Sequence, residues 1–197
     1  MNRIRLFGAA LVVAAIVPAT AAAQSLPYRA GQWGAEFQSG DLTNAGVMRF
    51  MSPSTALVFN VGILNLSTEL DTEGAGTVEN STSLLAVRLG FRNYMPVANR
   101  VTGFWTIGGE VARGSETEEV SGPFDGTEES TQTQLGVFGQ FGADFHVTPN
   151  IAVGIAYDLS YARISGEVTQ EPGGAESEIS GSRLLGTFTP VRFSIFF

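Results

Sequence analysis

Cysteine is absent from all 197 residues, which rules out a disulfide framework, a thiolate metal site and a cysteine nucleophile. Lysine is absent too, and every one of the eleven basic residues is an arginine. Against nineteen acidic residues the formal charge is −8. Such a chain cannot displace counterions from a polyphosphate, so nucleic acid is excluded as a partner. Hydrolysis by a Ser/His pair needs a base near the nucleophile, and the one histidine, His146, reads as a turn residue flanked by Phe145 and Val147. Beyond the N-terminal region no stretch approaches the roughly 20 apolar residues of a spanning helix. No segment has the ligand spacing of an EF-hand, so neither a metal nor a cofactor is expected.

What is present begins with an export signal. Arg3 and Arg5 precede an apolar run from Leu6 to Val17, and Ala21, Ala22 and Ala23 form a small-residue cleavage site before Gln24. Residues 1–23 read as a signal peptide and 24–197 as one domain. Removing the signal takes two arginines and no acids, leaving the mature chain at about −10.

The mature chain alternates. Leu135, Val137, Gly139, Phe141, Ala143 and Phe145 share one face, followed by Ile151, Val153, Ile155, Tyr157, Leu159 and Tyr161; Gly136, Gln140, Asp144, Gly154, Asp158 and Ser160 fall on the other. A period of two is that of a β-strand. Each stretch also exceeds the ~9–11 residues a tilted strand needs to cross a bilayer. Strands are predicted near 31–40, 44–52, 55–68, 81–94, 100–113, 131–146, 150–165 and 179–197. Tight turns such as Ser52-Pro53-Ser54 alternate with long, acidic, Gly/Ser/Thr-rich segments around 69–79, 116–129 and 167–178. The latter show no hydrophobic period and are expected to be mobile extracellular loops. The fold class expected is all-β: an eight-stranded antiparallel up-and-down transmembrane β-barrel with both ends on the periplasmic side.

Charges within the strands fall on the face opposite the apolar one. A lumen network of Glu36, Arg49, Arg88, Arg92, Glu110, Asp144, Asp158 and Arg192 is predicted, balanced in sign because an unpaired charge in a narrow interior is costly. An eight-stranded bore is only wide enough for side chains to fill it. Phe104, Phe138 and Phe188 are expected to fill more of it. His146 reads as a polar residue of a periplasmic turn. Arg113, Arg163 and Arg183 fall by parity on the outward face near the outer headgroups, where guanidinium groups suit lipopolysaccharide phosphates. Pro190 is the one feature that could reverse the parity of Arg183, through a strand bulge.

The chain ends Val191-Arg192-Phe193-Ser194-Ile195-Phe196-Phe197. This resembles the C-terminal signal of bacterial outer-membrane barrels, carried by Phe193, Ile195 and Phe197. With the signal peptide, the strand count and the asymmetric connections, the mature chain resembles the small OmpA/OmpX-like barrels. The resemblance implies insertion into the bacterial outer membrane by the barrel-assembly machinery and a polar packed interior. It implies no single activity. The expected role is therefore structural or surface-interactive, through envelope integrity, lipopolysaccharide contact or adhesion by the acidic segments. A monomer without catalysis is expected, and no motif names a surface ligand. Two other readings follow from the same alternation: a small passive channel, and a soluble periplasmic lipid-binding barrel with the faces inverted.

Overall fold

A computed structural model describes residues 26–40, 43–72, 76–121, 126–171 and 175–197. The proposed signal peptide lies outside the described residues. Eight strands follow in chain order: β1 (Trp33–Ser39), β2 (Thr43–Ser52), β3 (Thr55–Thr72), β4 (Gly76–Ala98), β5 (Val101–Ser121), β6 (Gly126–Thr148), β7 (Ile151–Glu171) and β8 (Ala175–Phe196). Each pairs antiparallel with the next, and β8 returns to β1 to close the barrel. The chain's end and the turns at 53–54, 99–100 and 149–150 mark what we call the lower rim.

Alternation becomes geometry here. Outward residues on β6 run Leu135, Val137, Phe141, Phe145 and Val147, all exposed, with Leu135 at 66%. Inward residues on the same strand include Phe138, Gln140, Asp144 and His146, all buried. Twelve steps of a strand tilted as outer-membrane strands are, at roughly 2.5 Å each, make a band about 30 Å tall. Trp33, Trp105, Phe145 and Phe197 are exposed toward its lower edge, where amphipathic rings favour a headgroup boundary. A closed sheet with charge inside and a predominantly apolar exterior, broken by Asn93 and by Arg49 at the lower rim, is built to face lipid. The inverted, soluble reading requires the opposite arrangement and is corrected.

Two further expectations change. The segments read as long mobile loops are mostly continuous strand: the ladder runs through Glu79, Glu116, Glu118, Glu119, Glu128, Glu129, Glu167 and Glu178. Above the apolar band both faces meet water, so the hydrophobic period disappears while the backbone goes on pairing. Residues 73–75, 122–125 and 172–174 lie outside the described residues. Second, β8 carries a bulge. Gly154 pairs with Arg192 but Ala156 pairs with Thr189, so β8 spends one extra residue around Pro190, which has no N–H to give the ladder. Parity flips above it. Phe188 points outward, 54% exposed, instead of into the interior, and Arg183 pairs with the inward Ala162 instead of facing out.

The wall is uneven. β1 and β2 are 7 and 10 residues long, against 18 to 23 for the others. Pairing of β2 with β3 ends at Thr43 opposite Ile63, and pairing of β1 with β8 ends at Ser39 opposite Val191. Above those points the facing edges of β3 and β8 have no ladder partner among the described residues, leaving a notch in the upper wall.

Candidate functional site

The lower half of the bore is closed by a layer of paired charge. Glu36, inward on β1, receives both Arg92 from β4 and Arg192 from β8, and all three are wholly buried. Arg192 also grips both oxygens of Asp144 at 2.6 Å. Two guanidinium groups and two carboxylates thus neutralise one another in a site with no water exposure, the condition under which burying them is tolerable. The remaining valences are filled as well. Glu36 Oε1 accepts from Gln38 at 3.0 Å and Asn60 at 2.9 Å, while Arg92 donates to Thr106 and Gln140, both at 2.8 Å. Phe104 lies against both arginines, its ring centroid 4.7 Å from the Arg92 guanidinium carbon and 4.3 Å from that of Arg192.

Small residues make this geometry feasible. A Cβ at Gly46 would fall on the Asn60 amide that reaches Glu36, and a Cβ at Gly142 would meet the Phe104 ring within 2.6 Å. Glycine weakens a strand interior in general, but here it yields the space that longer neighbours occupy.

A second layer lies above. Arg88 bridges Glu110 at 3.0 Å and Asp158 at 3.1 Å and covers the Phe138 ring at 5.0 Å. Gln140 joins the layers, donating to Asp158 at 3.1 Å and to Gln38 at 3.1 Å while accepting from Arg92.

Below lies an aromatic stopper. Tyr28 precedes β1 and enters the lower mouth, stacking on Phe50 at 4.4 Å, with Tyr94 at 4.6 Å and Phe196 at 5.0 Å. Its hydroxyl shares hydrogen bonds with Thr102 at 3.2 Å and His146 Nε2 at 3.1 Å. Burial pushes the Tyr28 phenol above its ordinary range, so it stays neutral. His146 is therefore an inward, buried residue of β6 and not a turn residue.

Of the predicted network, Glu36, Arg88, Arg92, Glu110, Asp144, Asp158 and Arg192 come together inside the barrel. Arg49 does not. On β2 the inward positions are Asn44, Gly46, Met48 and Phe50; Arg49 is outward and lies over Trp33 at 5.5 Å at the lower rim. Apolar Met48 and Phe50 belong to the stopper, so the rule that charge marks the inner face fails at this level. The predicted network leaves out Gln38, Asn60 and Tyr28, and also Gln140, which the alternation places on the polar face without a role. The three amides share the parity of their neighbouring charges and could have been found by it; Tyr28 lies outside any strand and gave no periodic signal. Arg113 and Arg163 are outward at the upper edge of the apolar band. A depression of about 390 Å³ beside Arg113 is lined by apolar Ile63 and Leu85 below and by Asn65, Ser83, Ser115 and Thr131. Phe193, Ile195 and Phe197 all face outward near the closing seam, and Phe197 exchanges backbone hydrogen bonds with Trp33.

No family model and no curated protein matches the chain. Among solved structures it is similar to a major outer membrane protein of Thermus thermophilus, at 14% identity and a TM-score of 0.54, over 84% of this chain and 98% of that one. It is also similar to Ail, the attachment invasion locus protein of Yersinia pestis, at 10% identity and a TM-score of 0.47, over 84% and 94%. A third is CarO of Acinetobacter baumannii, at 10% identity and a TM-score of 0.45, over 88% and 100%. The likeness to the Thermus protein shows the fold: a small barrel of outer-membrane type.

Proposed function

We propose that this chain is an integral protein of the bacterial outer membrane, exported by residues 1–23, whose role is structural and interactive and not catalytic. The observation that carries the reading is the tall, exposed apolar band around a bore filled with paired charge. A bore filled at Glu36, Arg92, Arg192 and Asp144 supports an anchor in preference to an open channel. Arg113 and Arg163 stand where that band gives way to Ser and Thr. A phosphate of lipopolysaccharide at that height meets a guanidinium fork, and its acyl chains meet Ile63 and Leu85. The acidic hairpins above form the surface offered to other cells or molecules, and the outward Phe193, Ile195 and Phe197 are read by the assembly machinery during insertion.

The test is gel mobility of washed outer membranes, unheated against boiled in SDS, after carbonate extraction. Retention with a shift on boiling supports the barrel anchor; release by carbonate with an unshifted band overturns it. The lipid contact is tested separately with the Arg113→Gln/Arg163→Gln double variant. Lipopolysaccharide co-purifying in mild detergent should fall, and an unchanged amount would count against these arginines.

A further inference from the structure

The upper half of the bore differs in chemistry from the layers beneath it. Above Arg88 the inner face mixes apolar positions with polar ones: Leu64 faces Leu84 across β3 and β4, Ala86, Ala112 and Ala162 are buried, and Gln134 on β6 lies between Ala112 and Ile164. On β8 the inward residue at this level is Leu185, opposite Ser160 and still 39% exposed. The next inward residue up is Arg183, opposite Ala162. Among the described residues it is the only cation on the inner face above Arg88, and higher positions there carry Glu116, Glu118 and Glu128. Both apolar wall and arginine border the notch between β3 and β8. The floor of that notch meets the lipid-facing band, with exposed Ile63 at the last β2–β3 pair and exposed Leu184 on the β8 edge, and the β3 edge continues upward through outward Asn65.

We propose that the notch is a lateral portal through which the barrel takes up a fatty acid from the outer leaflet. The tail lies against Leu64, Leu84, Ile164 and Leu185, and the carboxylate pairs with Arg183. Three features select this occupant. The opening lies at membrane height, so it meets lipid-borne molecules before solutes. An eight-stranded bore has room for one unbranched chain and not for the several chains of a phospholipid or lipid A. One arginine matches one carboxylate, bound through both oxygens, and the glutamates above repel an anion from travelling further. The inference is independent of the lipopolysaccharide contact, which uses arginines on the outer face.

The probe is cis-parinarate, a fluorescent fatty acid, titrated into the full barrel in nonionic micelles, with protein-free micelles as background. A saturable signal of one probe per chain is expected, displaced by palmitate. Arg183→Gln, checked for its unboiled gel mobility, should weaken binding about tenfold, and Arg49→Gln, outward at the lower rim over Trp33, should leave it unchanged. The methyl ester of the same probe, which has no charge, should bind the unaltered protein about as weakly as the acid binds the variant. Equal affinity for acid and ester, or partition without saturation, would overturn the proposal without need of any variant. Displacement by lysophosphatidylglycerol but not by palmitate would also overturn it, in favour of a phospholipid site.

Discussion

The two halves of this barrel solve different problems with the same ladder. Below Arg88 the charged groups are matched, carboxylate to guanidinium and amide to carboxylate, with Arg92, Arg192, Glu36 and Asp144 fully shielded from water, while Asn60 Oδ1, His146 Nδ1 and Ser194 Oγ are buried without a partner among the described residues. Above it the strands continue with equal backbone regularity, yet on β8 residues 177–186 are exposed on both faces. Hydrogen-bonded strand is therefore not by itself a mark of a packed region. The lower half has its stability in side chains, and the upper half is held by backbone pairing rooted in the half beneath.

That contrast can be broken most severely at Glu36. Glu36→Gln leaves Arg92 and Arg192 facing each other with only Asp144 to neutralise them, and should cost about 3–5 kcal/mol, read as the urea midpoint of the unboiled, fast-migrating band. Tyr28→Ala empties the centre of the aromatic stopper and should cost about 3 kcal/mol in the same assay. Arg88→Glu sets three carboxylates together at the boundary between the halves, with an expected loss of about 2 kcal/mol and no change in binding at the cell surface; an equally stable variant would detach Arg88 from the network. At the other extreme, Glu118→Gln on the protruding part of β5 should leave the midpoint where it is. A large loss there would mean that the hairpins contribute to stability as the lower layers do.

Much of this architecture is legible in the sequence. On β4 to β7 one face meets lipid and the other a filled bore, so strict alternation assigned Arg88, Arg92, Glu110, Asp144 and Asp158 to the inside. Three local conditions defeat the same rule. At the lower mouth the interior is itself apolar, which hid the inward Met48 and Phe50 and misplaced Arg49. Around Pro190 the extra residue of the bulge exchanges the faces, which moved Phe188 outward and Arg183 inward. Above the membrane band there is no apolar face to produce a period, so paired strands looked like loops. The shared position of Glu36 between two arginines was not legible either, because it depends on which strands become neighbours when the ring closes.

That closure has a consequence for how the molecule is made. β1 and β8 meet along only six register pairs, from Gly34 opposite Phe196 to Ser39 opposite Val191. Across that short join Glu36 meets Arg192, a partner 156 positions further along the chain. Until the last strand arrives, the carboxylate has no such partner and the first strand gains little by waiting in place. The closing seam therefore holds the contacts of greatest sequence separation in the barrel, the kind whose loop-closure cost slows folding most. The buried carboxylate, paired with Arg92 of β4, gains its second guanidinium only when β8 joins β1.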